Sequence, residues 1–365
     1  MSKKEIKINP QVLKELIKIS GYELTEISHK TGISLYRIKE GKITVEQLKK
    51  LAEILKRPLA AFFSDEISPL PVISDYRLNR EKRINPEVLL AKRKLIYLLE
   101  KLKELEAEKT IIPVFEKELS PYELAKRFRD YLGVKIEKNQ NPADLLENYK
   151  NLLEEKLNLV IIEYPLKPKR SKESDDVRAF SVYSNYISGI VLNETDHSSI
   201  KLFSLLHEVC HLIRRNSGIC SLEFEVEEEF EEESFCNKFA TEFLVPAEDI
   251  REELNNYSIA DSTIPEIVEN LSKIYSVSNQ VILLRLLYLG YLSSEKYYSF
   301  KKQFEQKGLE KTYGRRIWEK VFKNRVGNLA IKETKRALSE NKISFYEALN
   351  ILDLKTKYAE KFLYE

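Results

Sequence analysis

The chain has 365 residues, enough for two or three domains, with 32% charged and 43% hydrophobic residues and a net charge of +2. Three cysteines give no disulfide framework, the start MSKKEIKINP is charged, and no run approaches about 18 apolar residues. Secreted disulfide scaffolds and membrane-spanning proteins are thereby excluded, and a cytoplasmic location is expected. Charge is unevenly spread, however: residues 1–64 carry eleven Lys and two Arg against seven Glu, a basic end that suits an anionic partner.

Residues 10–63 have the spacing of a bundle of short helices. Leu24, Ile27 and Ser28 share one face of a first helix, Gly32 makes a tight turn, and Ile33 packs after it. Ser34 is placed to cap a second helix over Leu35–Glu40. Leu48, Leu51, Ala52 and Leu55 continue the buried stripe, and Pro58 with Phe62 and Phe63 closes it. The pattern resembles an XRE/Cro-like helix-turn-helix domain of the type ending R-P-L-A-x-F-F, with Ser28 where such domains often carry Ala. The resemblance implies that the second helix enters the major groove of DNA, with Tyr36, Arg37 and Lys39 near bases and Lys30 and Lys42 near phosphates. Affinity of that kind falls steeply with salt. The second helix holds no Asn or Gln and one Arg, so a dimerisation or peptide-docking module that has lost DNA is the alternative. His29 reads as a surface residue.

A linker with Pro69 and Pro71 follows over residues 65–84. A charged amphipathic helix is expected from Pro86 to Lys109, packed on its own domain or against a second copy of the chain. A helical pair spans roughly residues 120–156. Strands are expected at Leu159–Tyr164, Ala179–Tyr183 and Ile187–Leu192, and an edge strand among them could pair with an extended substrate peptide.

The next helix carries His207-Glu208-Val209-Cys210-His211, an H-E-x-x-H string. Positions i and i+4 lie on one helix face, so both imidazoles can hold one Zn²⁺ while Glu208 reaches a water on the metal. The plainer reading is a core helix with two satisfied histidines. Against it, Leu202, Phe203, Leu205, Leu206, Val209, Leu212 and Ile213 bury the helix almost all round, and two imidazoles there need a partner. Asp196, Ser198 and Ser199 are the expected N-cap residues.

A catalytic zinc needs a third protein ligand. Eight Glu lie between Glu223 and Glu233, and most must be a solvated acidic stretch. Glu233 differs because it opens an amphipathic run with Phe239, Ala240, Phe243 and Leu244, ended by Pro246. It is the expected ligand, with Asn237 one turn on holding a ligand in place; Glu229 and Glu232 remain alternatives. Cys210 and Cys236 read as small buried hydrophobes, and Cys220 is uninformative.

From about Leu159 to Pro246 the chain resembles the ImmA/IrrE family of zinc metallopeptidases. That family has F-T-L-A-H-E-x-x-H, matched here by Phe203–His211, and later E-x-x-A-N-x-F-A-x-x-L-L-x-P, matched by Glu233–Pro246. The departures are Cys236 for Ala and Ala179 for Gly in the run Arg178-Ala179-Phe180-Ser181. The resemblance implies zinc on His207, His211 and Glu233, Glu208 as general base, and a narrow protein substrate such as a repressor or antitoxin. Arg178 and Tyr183 are candidates to stabilise the oxyanion.

Residues 260–365 are expected to be mostly helical, ending in a helical cap or a further small recognition unit. No internal repeat of fixed period and no glycine-rich phosphate loop is visible. The expected fold is mainly α with a small β-sheet. It would comprise a helix-turn-helix domain (1–66), a linker and long helix (67–118), a zincin-like metallopeptidase core (119–258) and a helical C-terminal region (259–365). The function expected is a zinc-dependent endopeptidase and transcriptional regulator. The alternative is a DNA-binding regulator or antitoxin with a non-catalytic, sensory zinc site.

Overall fold

The computed structural model describes residues 5–64, 86–166, 177–216, 226–307 and 317–364; for residues 215–216, 226–230 and 307 the backbone alone is described. The expected linker at 65–84 and Cys220 lie outside these residues. Among the described residues helix dominates, with two small sheets, and the chain divides into two compact units. Of the described residues, the first holds 5–64, the start of a long helix up to Ile96, and Pro165, Leu166 and Val177; the second holds Tyr97–Tyr164 and those from Arg178 onward.

In the first unit β1 (Glu5–Lys7) precedes α1 (Pro10–Ile19), α2 (Leu24–Thr31) and α3 (Leu35–Glu40). There follow β2 (Lys42–Thr44), α4 (Val45–Leu55), a 3-10 turn (Leu59–Phe63) and α5 (Pro86–Glu104), which continues into the second unit. Asn9 starts α1 by accepting the Gln11 amide at 3.0 Å, and Pro10 costs nothing at the first helical position. Gly32 takes the left-handed conformation (φ +73°) that ends α2. Thr31 and Ser28 lock the turn. Thr31 Oγ1 donates to Ile27 O at 2.6 Å and accepts the Ile33 amide at 3.2 Å, while Ser28 Oγ donates to Ile33 O at 2.7 Å. Ser34 caps α3 as its side chain accepts the Arg37 amide. Leu13, Leu16, Ile17, Ile27, Ile33, Ile38, Leu51 and Leu55 form the core of this unit, each such burial contributing about 1.5–3 kcal/mol.

β1 pairs antiparallel with β2, Ile6 opposite Ile43. Neither strand was expected, because three residues are too few to show alternation. Gly41 (φ +65°) allows the join: a Cβ there would sit 2.0 Å from Ile8 O.

The second unit continues with α6 (Pro121–Leu132), α7 (Pro142–Leu157), β3 (Val160–Tyr164), β4 (Ala179–Val182), β5 (Gly189–Asn193) and α8 (Ser198–Asn216). Next come α9 (Val226–Leu244), α10 (Ala247–Leu254), α11 (Ile264–Ile274), α12 (Asn279–Tyr288) and α13 (Ser294–Lys307). Last are α14 (Trp318–Val326), α15 (Asn328–Ser339), α16 (Phe345–Leu352), a 3-10 turn (Thr356–Tyr358) and a wide π-type turn (Glu360–Tyr364). The sheet order is β3-β5-β4, with β3 parallel and β4 antiparallel to β5. Central β5 is buried along its whole length, as its apolar run requires. β4 is an edge strand among the described residues.

α8 packs on β4 and β5 and α9 packs on α8, so the sheet supports the helix pair from below. Leu205, Leu206, Val209, Phe239 and Phe243 join Leu124, Phe128 and Leu153 in one core. Ile264, Ile267, Leu271, Ile282 and Leu286 belong to the same cluster, so the boundary expected at 258–259 falls inside continuous packing.

Three local expectations need correction. α5 stops at Glu104 and not Lys109, because Glu106 turns left-handed (φ +54°) and the Ala107 amide returns to Leu102 O at 3.0 Å. This is a Schellman stop made without the usual glycine. The N-cap of α8 is His197: its carbonyl accepts the Lys201 amide at 3.0 Å and its Nδ1 accepts the Ser199 amide at 3.3 Å. Asp196 instead accepts from Asn193 Nδ2 at 2.9 Å. Finally, α9 begins at Val226, so Glu233 lies within it and does not open it.

Candidate metal centre

α8 carries His207 and His211 one turn apart, both buried, with their rings 4.8 Å between centroids. The two Nε2 atoms are 3.0 Å apart. α9 runs alongside and brings in Glu233. Its Oε2 is 3.2 Å from His207 Nε2 and its Oε1 is 3.2 Å from His211 Nε2. Three donors thus converge on one point. Ligands of a tetrahedral zinc at about 2.0–2.1 Å are separated by roughly 3.3–3.4 Å, close to these spacings. Neutral imidazole and carboxylate are also the donor types that zinc prefers. The residues present fit the ion.

Electrostatics agree with the geometry. Burial pulls the His211 imidazole down, but Cys236, Glu233 and Glu208 outweigh it and hold its pKa well above the usual value. Burial pushes the Glu233 carboxyl up, yet hydrogen bonds to His207 and His211 hold it far below the usual range. The cluster favours a positive charge at its centre. Glu208 is itself buried, 4% exposed, next to His207 on α8.

The other expected residues are distributed unevenly. Among the described residues the Asn237 side chain bonds to no member of the cluster; its carbonyl accepts from Thr241 Oγ1 at 2.7 Å. The groups beside His211 Nδ1 are Cys236 Sγ at 3.6 Å and Glu232 Oε1 at 3.9 Å. Arg214 Nε donates to both Glu232 oxygens at 2.6–2.7 Å, and its guanidinium lies 3.9 Å over the Phe235 ring. This clamp ties the end of α8 to α9 and was missed by sequence reasoning, as Arg214 carries no spacing signal. The Glu229 side chain lies outside the described residues. Cys210 and Cys236 are both free and buried, and burial pushes both thiols up. Arg178 pairs with Asp196 at 3.5 Å, and Tyr183 is 39% exposed just past β4.

In the first unit Tyr36 is 67% exposed and Lys39 is exposed on α3. Arg37 is engaged within the chain: Nη2 meets Glu5 Oε1 at 2.7 Å and Nε donates to Lys42 O at 3.1 Å. Lys42 Nζ lies 3.5 Å from Glu40, and Lys30 sits over the Tyr22 ring.

Residues 154–287 match the family model of the IrrE N-terminal-like domain. Comparison with curated proteins and with solved structures finds no match. The matched stretch runs from the end of α7 to the end of α12 and so includes the sheet and both helices that bring the three donors together. By that match residues 154–287 are similar to the metallopeptidase-type domain of the ImmA/IrrE family.

Proposed function

We propose that the chain is a zinc-dependent endopeptidase and transcriptional regulator of the cytoplasm that cleaves a repressor or antitoxin partner. The observation that carries this reading is the convergence of His207, His211 and Glu233 within 3.2 Å of one another beside a buried Glu208. Bound there, zinc supplies a Lewis acid that polarises a carbonyl and lowers the pKa of water toward about 7. Glu208, buried beside His207, would serve as the general base and proton carrier at this site, a contribution of about 10²–10⁴ in rate. His207, His211 and Glu233 fix the site, while the Arg214–Glu232 clamp keeps α9 in register with α8. DNA is the proposed partner of the first unit, through Tyr36 and Lys39 with Arg37 and Lys42.

A purely sensory zinc site is the second reading, and the thiol of Cys236 beside His211 is what favours it. Such a site needs no carboxylate at position 208, where burial makes an idle charge costly. The test is to purify wild type and Glu208→Gln with measured zinc content and offer each the candidate repressors from the same genome. Cleavage by wild type alone, at equal zinc loading, is expected. If neither cuts any partner, the sensory reading takes its place.

A further inference from the structure

The stretch 23–41 of the first unit is repeated in conformation at the C-terminal end of the second. α2 and α16 each have eight residues. A Glu at the third helical position closes each start: Glu26 accepts the Glu23 amide at 2.8 Å, and Glu347 accepts the Ser344 amide at 2.7 Å. A single left-handed residue ends each helix, Gly32 at φ +73° and Asp353 at φ +52°. A buried aliphatic follows, Ile33 or Leu354, then an extended N-cap, Ser34 (ψ 145°) or Lys355 (ψ 140°). A second helical segment starts next, and its fourth residue is buried in both cases, Ile38 and Ala359. Ile27 and Ala348 match in the same way on the first helix. A supporting helix precedes each unit by a few residues, α1 in one case and α15 in the other. The two stretches share one identical residue, the capping glutamate, which hid the likeness in the sequence.

The later unit departs in two ways. Its second helical segment is a 3-10 turn followed by a π-type turn, and its left-handed residue is Asp and not Gly. Its exposed face differs in chemistry too: Lys355, Thr356 and Lys357 stand where the first unit has Ser34, Leu35 and Tyr36. Lys357 lies 4.6 Å over the Tyr358 ring, and Lys361 is held by Glu319 at 3.1 Å. Residues 317–364 carry ten Lys and Arg against six Asp and Glu, a second basic region in a chain of net charge only +2.

We infer that residues 328–364 are a second helix-turn-helix unit and that it docks on duplex DNA, with Lys355 and Lys357 at the start of its second helical segment meeting phosphates. The kind of partner rests on the DNA-binding reading of the first unit; the repeated conformation does not. Two such units in one chain let a single molecule hold DNA at two places, so that loss of either weakens binding without abolishing it.

The test uses the full chain and a mixed-sequence DNA duplex, with affinity measured across a salt series. Tyr36→Ala/Lys39→Ala is expected to leave residual, salt-dependent binding. Adding Lys355→Ala/Lys357→Ala, both exposed positions, should then make the slope of log affinity against log salt shallower by about two and weaken low-salt binding on the order of tenfold. Residual binding that is absent after Tyr36→Ala/Lys39→Ala alone overturns this inference while supporting the first unit as the DNA site. A slope unchanged by Lys355→Ala/Lys357→Ala in both backgrounds also overturns it, and a change in self-association at unchanged slope would assign the face to a protein partner instead.

Discussion

Two buried clusters of the second unit each surround a carboxylate with nitrogen bases, yet they ask for different things. At Glu163 the bases are lysines. Lys201 Nζ lies 2.6 Å from one carboxylate oxygen and Lys150 Nζ 3.1 Å from the other, with Glu147 and Asn324 completing the shell of Lys150. The chain supplies its own positive charge there, and the network joins α7, β3, α8 and α14. At Glu233 the bases are imidazoles, and Cys236, Glu233 and Glu208 hold that of His211 toward its protonated form. The three donors converge on one point, so a bound cation can take the place of that proton. Burial and polar density alone therefore do not mark a functional site; the source of the compensating charge does.

The strongest way to break this distinction is to remove a donor. His207→Ala or Glu233→Ala should lower zinc affinity by more than about a hundredfold, beyond what loss of an outer partner costs, as read by competition with a chromogenic chelator. Glu163→Gln should leave that affinity within a few fold. Equal losses in both clusters would erase the contrast. Next in size is Lys150→Met, which leaves Glu163 with one cation in a buried setting. A stability loss of about 3 kcal/mol is expected in urea denaturation, at unchanged zinc affinity.

Glu154 sharpens the comparison, because it is a buried carboxylate whose direct partners are amides. Its Oε1 accepts the Asn328 and Leu329 amides at 3.1 and 3.4 Å, at the start of α15. Burial pushes its pKa up to about 7, with Lys150 and these amides opposing. A folded-state pKa above the unfolded value favours the protonated form. Its contribution is complete below the ordinary carboxyl pKa and is lost as pH rises through about 7. Wild type should therefore lose stability relative to Glu154→Gln across that window, by on the order of 1–3 kcal/mol in denaturation at stepped pH. Parallel curves would show that the amides, and not burial, control this group.

The smallest effect is expected from Cys236→Ala. Cys236 faces Nδ1 of His211, whereas the converging donors use Nε2, so the thiol is on the wrong side of the ring to share their ion. Zinc affinity should move less than about tenfold, the lower bound for an outer partner, and the cobalt-substituted protein should lack a thiolate charge-transfer band. Such a band in wild type would move the metal to the far side of His211.

Much of this was legible from spacing. Helical period alone puts His207 and His211 on one face, and the periodic run after Glu233 gave the second helix of the site. The three strands of the main sheet were visible to within two residues because each is a short apolar run bounded by polar residues. What faces His211 from α9 was not visible: it depends on how α9 crosses α8, which is set by packing of Phe239 and Phe243 in the core. Glu232 and Cys236 therefore came forward and Asn237 did not. The β1–β2 pair escaped for want of length, and with it the Glu5 partner that occupies Arg37. The repeated conformation escaped because caps and burial recur there without the residues.

β4 is four residues long and is paired on one side only among the described residues, yet Ala179, Phe180 and Ser181 are buried. Long, flat, exposed edges seed aggregation by accepting another copy of the same chain. Burial and brevity both counter that hazard here. The backbone of β4 is shielded from an approaching strand, and four residues give a growing fibril little to build on.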